Sequence, residues 1–188
     1  MKKGFMPLAL LSLWIAGCAH GTPPRGWSVT GSTPDHYEVG TQPGNLHSGD
    51  VNAYIRSTRP GKGFGTLMQT INADGYRNQR IRLTGHLKTE NADWAGLWMR
   101  IDGANRRIAG FDNMEDRGPR GNTDWRSYSI VLDVPSDSLD IAFGFLLHGQ
   151  GEVLADDFKL EAVGKDVPLT GSAPPSLPTQ PANMSFSP

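Results

Sequence analysis

Arg80-Ile81-Arg82-Leu83-Thr84-Gly85-His86-Leu87-Lys88 alternates between two kinds of residue, one for one. A period of two is the period of a β-strand, where successive side chains point to opposite faces. Ile81, Leu83, Gly85 and Leu87 therefore share one face, and Arg80, Arg82, Thr84, His86 and Lys88 share the other. The pattern recurs at Ala95, Leu97, Met99 and Ile101, and at Ile141, Phe143, Phe145 and Leu147. It recurs again at Tyr128, Ile130, Leu132 and Val134, where Pro135 closes the run because proline cannot donate to a ladder. Val153 to Val163 is a fifth strong strand. Weaker ones read at Trp27 to Gly31, Tyr37 to Gly40, Ala53 to Ser57, Phe64 to Ile71 and Ile108 to Asp112. Short strands separated by turns such as Asp102-Gly103 and Gly149-Gln150-Gly151, with no amphipathic helix among them, predict an all-β, antiparallel two-sheet sandwich.

The chain has 188 residues, a formal net charge of −1 and a pI near 6.5. That size suits one domain with tails, and the charge offers no basic footprint for nucleic acid. A single cysteine excludes an intramolecular disulfide, so apolar burial must carry the fold.

That cysteine has a telling place. Lys2 and Lys3 precede an apolar run from Phe5 to Trp14, too short for a spanning helix, and Ile15-Ala16-Gly17-Cys18 follows. The segment resembles a bacterial lipoprotein signal, which implies lipidation (a diacylglyceryl group and palmitate) on Cys18 and an address at the cell membrane. Ala19, rather than Asp, directs the expectation to the outer membrane of a cell that has one. The alternative is an ordinary secretory signal cut nearby. The expected layout is 1-17 signal peptide, 18-25 linker, 26-164 sandwich and 165-188 a Pro-rich disordered tail.

Gly26-Trp27, a Ser48-Gly49 turn before Ala53-Tyr54-Ile55, the stretch from Arg80 to Thr89, and Ala155-Asp156-Asp157-Phe158 resemble the galactose-binding-like jelly rolls. These include carbohydrate-binding modules of bacterial glycoside hydrolases. Gly63 to Gln69, Gly96-Leu97-Trp98-Met99-Arg100 and Phe111-Asp112-Asn113-Met114 are similar to a bacterial subfamily whose members occur alone or beside catalytic or DNA-binding domains. The resemblance implies a jelly roll and a binding role over Trp27 to Val163, and it supplies no catalytic residue.

Trp98 and Arg100 fall on the strand face opposite Leu97, Met99 and Ile101, where an indole and a guanidinium together suit a sugar ring and its hydroxyls. The competing reading has Trp98 covering the sheet under a loop while Arg100 pairs with Asp102 or Asp112. Asp112, Asn113, Glu115 and Arg117, in a loop between two strands, form a second group of ligand-binding candidates, set against a solvated loop held by its own ion pairs. The resemblance implies a structural calcium near the last strand, for which Asp157 with Glu38 or Asp35 offers hard oxygen ligands; a plain turn is the alternative. His86 and His148 lack zinc spacing, no Gly-x-Ser-x-Gly elbow occurs, and no helix follows Gly61-Lys62-Gly63-Phe64-Gly65 to bind phosphate.

The resulting expectation is a non-catalytic, lipid-anchored envelope protein that binds a carbohydrate or similar polar ligand, with no nucleic-acid partner. Its rivals are an envelope glycan- or ester-acting hydrolase and a structural or assembly lipoprotein that binds another protein.

Overall fold

A computed structural model describes residues 21–44, 51–171 and 184. The signal segment, Cys18 and the Ser48-Gly49 turn lie outside these residues. Ten strands follow in order: β1 Ser28–Gly31, β2 Tyr37–Pro43, β3 Val51–Ser57, β4 Phe64–Asn72, β5 Arg80–Ala92, β6 Trp94–Gly103, β7 Ile108–Asp112, β8 Gly121–Asp133, β9 Ser138–His148 and β10 Glu152–Val163. Short 3-10 turns at Pro34–His36, Asp74–Tyr76 and Ala104–Arg106 are the helical elements among the described residues.

The strands form two antiparallel five-stranded sheets, ordered β1-β4-β9-β6-β7 and β2-β3-β10-β5-β8. Strands from both halves of the chain interleave, so β9 pairs with β4 and β6 while β10 pairs with β3 and β5. The inward faces meet in one core in which Leu83, Leu87, Leu97, Met99, Ile101, Ile130, Phe145 and Leu147 are buried. The alternation read from the sequence is thus the division between core and outer faces.

Three departures have local causes. In β10 the register slips between Asp156 and Lys159, with Asp157 at φ 53°. This bulge reverses the alternation, so Val153 and Ala155 face the core before it and Phe158 and Leu160 pack against the core after it. Phe158 meets Trp27 edge-on at 5.3 Å between ring centroids. In β8 the strand begins at Gly121, seven residues ahead of Tyr128, where the sequence alternation begins.

The third departure follows β10. Residues 165–171, expected in a disordered tail, run along the open edge of the sandwich. Arg80 donates to the Lys165 and Val167 carbonyls, and the Thr170 N–H donates to the Val131 carbonyl at 3.1 Å. β8 is the edge of its sheet, and an unpaired edge offers backbone groups that a passing segment can satisfy.

Candidate functional site

The two outer faces differ in chemistry. On the β2-β3-β10-β5-β8 sheet the outward residues form ion pairs: Arg80 with Asp133 at 2.9 Å, Arg82 with Glu161 at 2.7 Å, and Arg56 with Glu152 at 2.8 Å. On the other sheet the outward residues build a second apolar cluster of Trp94, Trp98, Ala142 and Leu146, against which Phe64 and Met68 pack. A solvent-facing sheet surface has no folding reason to gather two tryptophans, so this face is the candidate site.

Register explains the gathering. Met68, Gly144 and Trp98 lie in one cross-strand row; Thr66, Leu146 and Gly96 form the next, and Phe64, His148 and Trp94 the one beyond. On the other side of Trp98, Thr70, Ala142, Arg100 and Phe111 make a fourth row. The small residues Gly144, Gly96 and Ala142 alternate with the large ones, leaving a groove of about 540 Å³. Thr30, Asn113 and Arg100 complete its rim.

The groove floor is rigid. The Trp98 Nε1–H donates to Thr66 Oγ1 at 2.7 Å, and that hydroxyl donates to the Phe145 carbonyl at 2.7 Å. Trp98 is 8% exposed, as is Trp94. The Trp94 Nε1–H has no partner among the described residues and lies against the turn at Gly118. Phe111, 42% exposed, is the open aromatic at the lip. Arg100 is held by its neighbour on the same face: Nε and Nη2 each donate to Asp102 at 2.9 Å.

The loop after β7 closes one side. Gly96 admits it, since a Cβ there would stand 2.9 Å from the Asn113 carbonyl oxygen. Asp112 organises the loop, accepting from the Met114 N–H at 2.9 Å, Arg117 Nη2 at 2.6 Å and Thr170 Oγ1 at 2.6 Å. Burial pushes the Asp112 carboxyl up, but these hydrogen bonds outweigh it and hold the group below the usual carboxylate range. A second cavity of about 540 Å³ lies beside the groove, lined by residues 111–113 and 115–117 with Thr170.

The structure brings Trp98, Arg100 and Asn113 together on the groove, whereas Asp112, Glu115 and Arg117 line the second cavity. Trp98 is a covered floor rather than an open stacking platform, and Arg100 takes Asp102 as its partner. Sequence reasoning missed Phe64, Met68, Trp94, Phe111 and Leu146. The shared parity of Trp94 and Trp98 within β6 was the available signal for one of them.

The calcium expectation is corrected. Glu38 sits level with Arg56 and Glu152, accepts from the Tyr54 hydroxyl at 2.8 Å, and belongs to a strand separated from β10 by β3. Asp157 lies five residues further along β10, in the bulge, with His86 Nδ1 at 3.6 Å. Among the described residues no group of three His, Cys, Asp or Glu side chains is placed to hold a metal ion.

No protein-family model matches the chain. Over 167 residues it is 41% identical to the uncharacterized HTH-type transcriptional regulator YbfP of Bacillus subtilis (strain 168), a match covering 86% of this chain and 56% of that protein. The chain thus spans little more than half the length of this relative. That likeness overturns the expectation of a lipid-anchored envelope carbohydrate-binding protein, because closely related sequence is part of a protein named as a transcriptional regulator. Among solved structures, the CBM22-1 xylan-binding domain of Paenibacillus barcinonensis Xyn10C is similar at a TM-score of 0.56 and 12% identity, over 77% of this chain and 90% of that one. The enzymatically active domain of bacteriophage CBA120 tailspike protein 4 is similar at 0.58 and 16% identity, over 74% and 20%. At such identities the likeness shows the fold alone: a jelly-roll sandwich of the carbohydrate-binding-module type.

Proposed function

We propose that the chain is a small-ligand-binding module, similar in sequence to part of a protein named as an HTH-type regulator, and that the ligand occupies the groove over Trp94 and Trp98. The observation that carries this reading is the asymmetry of the outer faces: ion-paired on one sheet, aromatic and grooved on the other. A groove of about 540 Å³ falls within the range of small-molecule sites, roughly 300–1,000 Å³. Helix-turn-helix recognition uses a helix in the major groove, and the described residues here hold strands and 3-10 turns, so DNA contact is not assigned to this sandwich.

A thermal-shift screen of a metabolite library against the full chain and a Thr30→Trp variant tests the reading. Thr30 is exposed on the groove rim, and an indole there fills the opening without entering the core. Compounds that stabilise the wild type should lose their effect on Thr30→Trp. Hits that stabilise both proteins equally would place the site elsewhere.

A further inference from the structure

We infer that the groove selects an uncharged amphiphile: an acyl or aryl body with a carbonyl or hydroxyl head at the Arg100 end. This rests on the reading of the groove as a ligand site and names the class of ligand.

The lining restricts the body. Phe64, Met68, Trp94, Trp98, Leu146 and Phe111 are apolar, and neither indole N–H is free to meet a sugar hydroxyl. Trp98 Nε1 is spent on Thr66, and Trp94 Nε1 is buried against the Gly118 turn. A sugar carries a hydroxyl on most of its carbons and needs converging polar partners along its length, because unpaired polar groups are costly to bury. The one charged side chain lining the groove, Arg100, stands at one end.

The register sets that end. From Arg100 to Trp94 the groove follows six residues of β6, about 20 Å at the rise of an extended strand. Arg100 stands in the first row, Asn113 lies against Gly96 in the row before the last, and Phe64, His148 and Trp94 form the last. Arg100 spends Nε and Nη2 on Asp102, while Nη1 donates to no group among the described residues. A planar donor locked in place with one nitrogen open suits a carbonyl or hydroxyl oxygen.

Charge decides what the head is. Asp102 neutralises Arg100, and Asp140 lies opposite Asp102 in the register, so a carboxylate head would meet two carboxylates against one guanidinium. An ammonium head carries donors alone and cannot accept from the open Nη1 of Arg100, the one charged side chain lining the groove. An uncharged acceptor escapes both penalties.

The test titrates the full chain with octanamide, octanoate, octylamine and xylohexaose, following tryptophan fluorescence. Octanamide should bind saturably and about fivefold or more tighter than either charged analogue, and Thr30→Trp should weaken it about tenfold. Asp102→Asn leaves Arg100 uncompensated and should shift the preference toward octanoate. Octanoate or octylamine binding as tightly as octanamide would overturn the inference, as would an unchanged preference in Asp102→Asn. Xylohexaose binding that Thr30→Trp blocks, with no response to octanamide, would overturn the ligand class while leaving the groove as the site. No saturable octanamide binding overturns it too, and the library screen then decides separately whether the groove binds anything.

Discussion

Thr170 and Asp112, 58 residues apart in the chain, share a 2.6 Å hydrogen bond that ties the edges of the two sheets together. Asp112 ends β7, the edge of one sheet, while the Thr170 hydroxyl also accepts from the Val131 N–H of β8, the edge of the other, at 2.8 Å. Because Asp112 also holds Arg117, the segment after β10 is coupled through it to the loop that carries Asn113 onto the groove.

Thr170→Val keeps the shape of the side chain and removes both of these bonds. The variant should lose about 2 kcal/mol in urea denaturation, the scale of a hydrogen bond to a charged group. Truncation after Gly164 should cost more, since it also takes the carbonyls that Arg80 uses. Coincident denaturation curves for wild type and Thr170→Val would show that the segment contributes nothing.

Acid should weaken the same edge. Hydrogen bonds from Arg80, and then from Lys165, hold the Asp133 carboxyl at about 2. A group whose folded value is depressed contributes stability that is present above its unfolded value, about 3.9, and is lost as pH falls toward the folded one. Stability should therefore decline between pH about 4 and 2, and less steeply in Asp133→Asn; Asp112 acts in the same direction. Identical acid profiles for wild type and Asp133→Asn would count against the pairing.

Trp98→Ala should lower stability by about 3 kcal/mol, because the ring is a covered floor packed on Leu146 and Met68. Phe111→Ala, at the exposed lip, should leave the melting temperature nearly unchanged. A Trp98→Ala protein that melts like the wild type would mean that the outer cluster adds nothing to the fold.

The sequence by itself determined the strands. Alternation is a local property of the chain, and Ile81 to Leu87, Leu97 to Ile101 and Ile141 to Leu147 each divide core from outer face without reference to any partner. It also showed that Trp98 and Arg100 share a face, because that too is parity within one strand. The tertiary structure decided everything that depends on pairing. Trp98 became a floor when β9 presented Gly144 and β4 presented Met68 and Thr66 beside it, and Asp157 became a bulge because Phe158 had to turn inward to reach Trp27. The segment to Thr170 found order along an edge that lies 39 residues earlier in the chain, at Val131. Side-chain direction repeats every two residues and is written locally, whereas register and edge closure bring together residues far apart in the chain, which no local pattern specifies.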